Sequence, residues 1–265
     1  MRRLIIAVVV LVGVLVVADF GAAAAAESAV SRQMRERLAL PEDPSVRING
    51  VSFLAQAATG RYRSVDVSME RLQVGPLRDV EVKAKLHDVR APLGDLVSGT
   101  PRFRITDAEG IISIGASDVL RTLPGVTKLV ISDVDANAIS DVVEAGGDPT
   151  LRGLDPRNAA LLVATTTVAG EEQEINVLVA LQITGDGQVR ITPRDVRPAD
   201  TGADELPDSV RNALTRTFTV VLDPGGLPFK VTPTALRTEE GTLEISGQVR
   251  DLVIGEGERA STAQS

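Results

Sequence analysis

The chain of 265 residues has a formal net charge of −8, no cysteine and only one histidine. The acidic charge disfavours nucleic acid as a partner, because phosphates are repelled by an acidic surface. The missing cysteines exclude disulfides, thiol catalysis and cysteine-ligated metals, and a single histidine excludes a His-rich zinc site. About 235 residues remain outside the N-terminal leader, which is enough for one large domain or two small ones.

The chain begins with a positively charged leader. Arg2 and Arg3 precede the uncharged, almost wholly aliphatic run Leu4–Ala18. Such a pattern directs export and keeps the arginines on the cytoplasmic side of the membrane. The run lies at the upper end of the range for a signal peptide, about 7–15 residues, and just below that of a spanning helix, about 17–25. We therefore expect a membrane anchor or a signal peptide cleaved after Ala26, and in both cases an extracytoplasmic protein close to a membrane.

Strands dominate the region that follows the leader. Ala22–Leu38 is predicted to be helical, and two prolines mark the break after it. Beyond this break apolar and polar residues alternate with a period of two, which is typical of half-buried strands. Tyr62–Val74 and Leu77–Val89 are predicted to form a long hairpin around a Gly-Pro turn.

The remainder of the chain continues this alternation, with few helices between the strands. Strand Glu174–Ile183 is predicted to pair with the residues up to Ile191 across a Gly-Asp-Gly turn. Helices are predicted at Ser117–Leu123, Asn137–Ala145 and Leu206–Phe218. Further strands are predicted at Arg102–Ile114, Thr127–Val134, Ala159–Val168, Phe229–Arg237 and Thr242–Ile254. The pattern indicates an α+β fold built mainly from long antiparallel strands.

Three parts of the chain are distinguished by composition. Residues 1–26 are predicted to be the signal peptide or membrane anchor, and residues 27–254 to form a single domain. Residues 255–265 are polar and are predicted to be a disordered tail.

The sequence offers little for catalysis. The single histidine, His87, falls among charged residues on the wet face of a predicted strand, and no G-x-S-x-G motif occurs. The paired carboxylates lie in turn-like, solvent-facing segments, where such groups are simply hydrated; they are Glu171-Glu172, Asp204-Glu205 and Glu239-Glu240. We therefore expect a non-enzymatic protein with no catalytic residues, no bound metal and no cofactor.

One acidic stretch resembles a calcium-binding loop. Asp133, Asp135, Asn137, Asp141 and Glu144 have the spacing of the oxygen ligands of such a loop. However, its sixth position, which requires glycine, is an alanine, and a strand rather than a helix is predicted to precede it. The alternative is a strand that ends in a capped helix with an acidic outer face.

The first predicted hairpin is the most basic stretch of the chain. Its seven basic residues outnumber five acidic ones, and Arg61 and Arg63 stand at its beginning. These side chains could meet an anionic headgroup, although interspersed charges are also the usual pattern of a solvated strand face.

Three stretches resemble the actinobacterial LmeA-like phospholipid-binding proteins of the cell envelope. The first is ADFGAAAAAESAVSRQMRERL, Ala18–Leu38. The second, INGVSFLAQAATGRYRSVDVSME at Ile48–Glu70, is similar to the family's Gly-x-x-Phe-Leu-x-Gln…Gly block before its first long strand. The third, LPFKVTPTALRTEEGTLEISGQVRDLVI at Leu227–Ile254, resembles the family's closing hairpin.

The resemblance implies a single elongated domain with a curved antiparallel sheet wrapped on amphipathic helices, similar to the lipid-carrying fold of bactericidal/permeability-increasing proteins. It also implies binding of phospholipid, notably phosphoinositide, and a link to lipoglycan maturation in the envelope. It implies no catalytic residue.

We therefore expect a phospholipid-binding protein at the extracytoplasmic face of the plasma membrane, anchored by residues 4–18 or exported. Arg61 and Arg63 are the candidates for contact with the headgroup. The alternatives are a scaffold that binds envelope glycosyltransferases and, third, an envelope hydrolase. The candidates for an acyl-chain lining are Phe53, Leu54, Phe103, Ile112, Leu214, Phe218, Leu227 and Phe229.

Overall fold

A computed structural model gives the structure of residues 2–75, 77–92, 103–168, 170–185, 188–200, 205–222, 232–239 and 241–254. The chain adopts an α+β fold with antiparallel sheets, one of which curls strongly into a half-barrel, and a long apolar helix at the N-terminus. The predicted fold class is therefore confirmed. The helices are α1 (Arg2–Leu38), α2 (Phe53–Thr59), α3 (Ala116–Arg121), α4 (Ala136–Glu144) and α5 (Asp208–Thr217).

The strands form two sheets. The six-stranded sheet has the order β1-β2-β3-β4-β11-β10, and the five-stranded sheet has the order β5-β6-β7-β8-β9. The strands are β1 (Ser45–Asn49), β2 (Arg61–Val74), β3 (Leu77–Arg90), β4 (Phe103–Gly115), β5 (Val126–Ser132), β6 (Ala159–Val168), β7 (Glu171–Ile183), β8 (Val189–Pro198), β9 (Val220–Leu222), β10 (Thr232–Glu239) and β11 (Thr242–Ile254).

The chain divides into two compact units. The first unit comprises Met1–Glu70, Lys83–Gly110 and Gln248–Ser265, and the second comprises Arg71–Val82 and Ile111–Gly247. The first unit therefore contains α1, β1 and α2 with parts of β2, β3, β4 and β11. The second contains the whole five-stranded sheet together with α3, α4, α5 and β10.

The predicted strands and helices agree with the observed elements to within a few residues, but β1, α2 and β9 were not predicted from the sequence. The leader and the helix predicted at Ala22–Leu38 form a single helix, α1, without a break at Asp19. The predicted tail, residues 255–265, and the start of the closing hairpin lie outside the described residues.

In each of the two strands of the basic hairpin, β2 and β3, one non-glycine residue has a positive φ. Arg71 in β2 has φ 55° and Asp88 in β3 has φ 50°. The buried side of the strand changes phase at both places, from Met69 to Leu72 in β2 and from Leu86 to Val89 in β3. This combination is typical of a β-bulge, which bends and twists the strand that carries it.

The core of the second unit surrounds β7, the central strand of the five-stranded sheet. From Val177 to Leu181 every side chain of β7 is buried, which requires cover on both faces of the sheet. Helix α4 supplies part of this cover, since Ile139 and Val143 pack with Leu178 in one apolar cluster.

The acidic stretch at the start of α4 is a helix cap. Asp135 accepts a hydrogen bond from the backbone N–H of Ala138 at 2.7 Å, as an N-cap residue does. Strand β5 precedes it and α4 follows it, so the strand-and-capped-helix alternative to the calcium loop is confirmed. Within the described ranges, no group of three or more acidic or histidine side chains is placed to hold a metal ion.

Asp118 fixes the start of β3 in the second unit. Its fully buried carboxylate accepts hydrogen bonds from the backbone N–H groups of Arg78 (2.8 Å) and Asp79 (3.0 Å) and from the guanidinium of Arg121 (2.6 Å). Hydrogen bonds to Asp79 and Asp118 raise the pKa of Arg121, so this partner stays cationic at physiological pH. The carboxylate of Asp118 thus joins α3 to the first residues of β3.

We predict that Asp118→Ala lowers the free energy of unfolding by about 1–3 kcal/mol, because two part-buried backbone N–H groups lose their acceptor and Arg121 keeps only Asp79 of its two carboxylate partners. Thermal unfolding in detergent micelles measures the loss, and hydrogen exchange of residues 77–82 locates it. The control is Asp133→Ala, which removes an exposed carboxylate of the same unit. Equal stability of the two variants would contradict the structural role of Asp118.

Candidate functional site

Helix α1 is joined to α2 of the same unit by a carboxylate at the end of its apolar run. Asp19 accepts hydrogen bonds from the backbone N–H groups of Phe53 (2.9 Å) and Leu54 (2.8 Å) and from the hydroxyl of Ser52 (2.8 Å). The N–H of Ala55 donates to the Ser52 hydroxyl at 3.2 Å. The first three N–H groups of α2, which a helix leaves without internal partners, are therefore all satisfied. The negative charge of Asp19 also lies at the favourable end of the α2 dipole.

Two further side chains attach the same helix to β1 and to the segment before it. Glu27 accepts a hydrogen bond from the N–H of Ile48 at 2.7 Å, and the hydroxyl of Ser31 donates to the carbonyl of Pro44 at 2.6 Å. Strand β1 is an edge of the six-stranded sheet. An edge strand has unpaired backbone groups that can recruit other strands, and α1 covers this one.

The Gly-x-x-Phe-Leu-x-Gln…Gly block builds the turn between β1 and β2. A Cβ atom at Gly50 would overlap the side-chain amide of Gln56, whose oxygen accepts a hydrogen bond from the N–H of Arg63 at 3.0 Å. Gly60 ends α2 with φ 65°, and its carbonyl accepts a hydrogen bond from the N–H of Ala91. The block therefore consists of residues that fix α2 against the beginning of β2.

An apolar cluster lies next to this turn in the first unit. The rings of Phe53 and Tyr62 are inclined at 33° with centroids 6.3 Å apart. Burial raises the pKa of Tyr62, so its hydroxyl stays neutral at physiological pH. The buried members are Tyr62, Val89, Ala91, Ile105 and Ala108, and the partly exposed members packed against them are Ile48, Phe53, Val65, Leu86, Phe103, Val249 and Leu252. Seven partly exposed side chains around five buried ones leave accessible apolar surface at the rim of the cluster.

Arg61 and Arg63 flank Tyr62 in β2, and both are exposed. The alternation of the strand turns their side chains away from the side on which Tyr62 is buried. The two cations thus adjoin Tyr62 in sequence but project from the face of β2 opposite the apolar cluster.

The residues predicted as an acyl-chain lining fall into several groups. Phe53 and Phe103 pack on the cluster of the first unit, while Leu54 is exposed beside them in α2. Leu227 and Phe229 lie outside the described residues. The remaining three are buried in the second unit: Ile112, Leu214 and Phe218.

Two important residues of this region were not predicted from the sequence. Asp19 is the only charged residue between Arg3 and Glu27. Its isolation in an apolar stretch could have indicated that the carboxylate has a hydrogen-bond partner elsewhere in the protein. Tyr62, the only tyrosine of the chain, is the central aromatic of the cluster. Its position between two arginines in an alternating strand could have indicated that its ring is buried on the face opposite the arginines.

Comparison with known proteins identifies the family. The family model for LmeA-like phospholipid-binding proteins matches residues 17–248. The chain belongs to this family. No curated protein and no solved structure matches the chain. The family match begins two residues before Asp19, so the part of α1 that contacts α2 and β1 belongs to the family domain.

We predict that Asp19→Ala loosens α2, because the N–H groups of Phe53 and Leu54 lose their acceptor. Hydrogen–deuterium exchange of a peptide covering residues 51–58 should become faster, while peptides of β6 and β7 in the second unit keep their exchange rates. Glu36→Ala is the control, since Glu36 is an exposed carboxylate of the same helix. Unchanged exchange in residues 51–58 of the Asp19 variant would refute the cap.

A second prediction concerns the turn at Gly60. A Cβ atom there would lie 3.1 Å from both the Ala91 carbonyl oxygen and the Pro92 Cα. Gly75 has a similar φ, 57°, but nothing lies within 4 Å of its Cβ position. Both alanine variants impose the left-handed backbone cost of about 1 kcal/mol.

We therefore expect Gly60→Ala to destabilise the protein by about 1–3 kcal/mol more than Gly75→Ala, because only Gly60 lies against other backbone atoms. The difference between their melting temperatures in detergent micelles measures this effect. Equal melting temperatures would show that the close approach at Gly60 is of no consequence.

Proposed function

We propose that the protein binds phospholipid at the extracytoplasmic face of the plasma membrane and takes part in building the cell envelope without catalysing a reaction. The observation that carries this proposal is the family match over residues 17–248. The accessible apolar surface of the cluster supports it, because acyl chains are apolar, and the exposed cations Arg61 and Arg63 at the beginning of β2 can meet an anionic phosphate.

The acyl chains contact the partly exposed rim of the cluster, including Phe53 and Phe103. Each methylene removed from water contributes about 0.8 kcal/mol, so the chains supply most of the affinity. Arg61 and Arg63 bind the phosphate. Arginine suits this task because its planar guanidinium can donate two parallel hydrogen bonds to phosphate oxygens.

The extracytoplasmic location rests on the charge pattern of α1. Arg2 and Arg3 precede its apolar part, and positive charges are retained on the cytoplasmic side. All residues from Asp19 onward then lie on the other side of the membrane. The family resemblance further favours phosphoinositide as the lipid and lipoglycan maturation as the process, whereas an envelope glycosyltransferase is the partner that the alternative scaffold function would require.

The direct test is to purify the full chain in detergent, extract the bound lipid and identify it by mass spectrometry. We expect phospholipid at a constant ratio to protein after extended washing. An unrelated protein with one membrane-spanning helix, treated in the same way, measures non-specific carry-over. Lipid no more abundant than in this control would overturn the proposal.

We predict that the double variant Arg61→Glu/Arg63→Glu weakens binding of a fluorescent phosphatidylinositol in mixed micelles by about tenfold, because two favourable surface charge contacts become repulsive. Fluorescence anisotropy measures the affinity. The matched control is Arg190→Glu/Arg216→Glu, which changes the net charge equally at two exposed arginines of the second unit. Equal weakening by both pairs would mean that only net charge matters and that Arg61 and Arg63 are not the headgroup site.

A further inference from the structure

The apolar part of α1 is exposed but short. Its large apolar side chains from Ile5 to Val17 are 47–73% exposed. The fifteen residues of Leu4–Ala18 rise about 22 Å along the helix axis, against a hydrocarbon core about 30 Å thick. Asp19 ends the run, although α1 itself continues to Leu38. If Leu4–Ala18 lies in the hydrocarbon core of a membrane, the residues next to Asp19 therefore lie close to the membrane surface.

Three exposed apolar side chains surround Asp19. Phe20, the next residue of α1, is 72% exposed. The hydrogen bonds that Asp19 accepts hold residues 52–54 against α1. Leu54 is one of these residues and is 43% exposed, and the preceding residue, Val51, is 98% exposed. We call Phe20, Val51 and Leu54 the apolar corner. Phe20 follows the exposed apolar run of α1 along the helix, after Asp19.

Asp19 does not prevent this region from approaching lipid. Its carboxylate already accepts two backbone N–H groups and one hydroxyl, so much of its hydrogen-bonding capacity is met within the protein. The three side chains of the apolar corner are uncharged, so their transfer from water into lipid carries no cost of desolvating a charge. Apolar side chains beside a spanning helix are typical of the boundary between headgroups and acyl chains.

We propose that α1 is an uncleaved membrane anchor and that the apolar corner inserts into the leaflet from which α1 emerges. Cleavage after Ala26 would remove both Asp19, which caps α2, and Phe20. The occupant of the corner is the bilayer because the corner extends the surface of the same helix that enters the bilayer. This inference rests on the proposed function and deepens it, since α2 then carries Phe53 of the lipid-binding cluster to the membrane surface.

The absence of cysteine from the chain allows a direct test. Val51→Cys and Leu54→Cys variants of the full chain are labelled with an environment-sensitive fluorophore and reconstituted in vesicles of phosphatidylcholine and phosphatidylglycerol. Val130→Cys and Val221→Cys are the controls, because these valines of the second unit are 44% and 48% exposed, similar to Leu54.

We expect labels at residues 51 and 54 to be quenched several-fold more strongly by a lipid carrying a shallow nitroxide than labels at 130 and 221. The intact mass of the protein isolated from membranes should also include residues 1–26. Since Val51 is almost fully exposed, its replacement should leave the fold intact, and unchanged hydrogen exchange in residues 52–58 verifies this.

Three results would overturn the proposal. The first is quenching at residues 51 and 54 no stronger than at the controls, and the second is a mature chain that begins at Glu27. The third is a label at 51 that is shielded from water but not quenched by the nitroxide lipid, which would show that protein covers the corner. None of these readouts depends on bound lipid in the purified chain, so failure of the corner and failure of the proposed function remain distinguishable.

Discussion

The carboxylate of Asp19 is the contact on which the first unit depends. Helix α2 has only seven residues, and a helix of that length is not stable by itself in water. Two backbone N–H groups of its first turn donate to Asp19, which lies more than thirty residues earlier in the chain. Because α2 supplies Phe53 to the apolar cluster, the same contact connects the membrane-directed helix to the candidate lipid site.

The two units use apolar residues differently. In the second unit β7 is covered on both faces, and Phe218 is fully buried. At these described residues little apolar surface is left for a ligand. In the first unit the cluster around Tyr62 keeps more partly exposed members than buried ones. A lipid-binding surface needs such incomplete burial, because its missing contacts are those that the acyl chains provide.

Periodicity alone was sufficient to predict most of the fold, because a strand with one buried face must alternate. It left open whether α1 continues past Asp19, since a charged residue after an apolar run resembles a boundary and Asp19 acquires its partners only in the tertiary structure. The bulges at Arg71 and Asp88 also escaped it, because arginine rarely adopts positive φ and a single aspartate in an alternating run is also common on the exposed face of a regular strand. For the site, alternation correctly separates Arg61 and Arg63 from buried Tyr62. However, fully buried and partly exposed apolar positions use the same residue types, so the sequence could not predict that Phe53 and Phe103 are partly exposed while Ile112, Leu214 and Phe218 are buried.

The position of Asp19 also constrains the order of folding. Its partners are the residues at the start of α2, so these contacts close a loop of about 33 residues, which is short compared with the separation between β4 and β11. Short loops close sooner than long ones, because less chain entropy is lost. The junction between α1 and α2 can therefore form while the second unit is still being synthesised. Each nascent chain would then have α2 docked on its N-terminal helix before the strands that complete its sheets arrive.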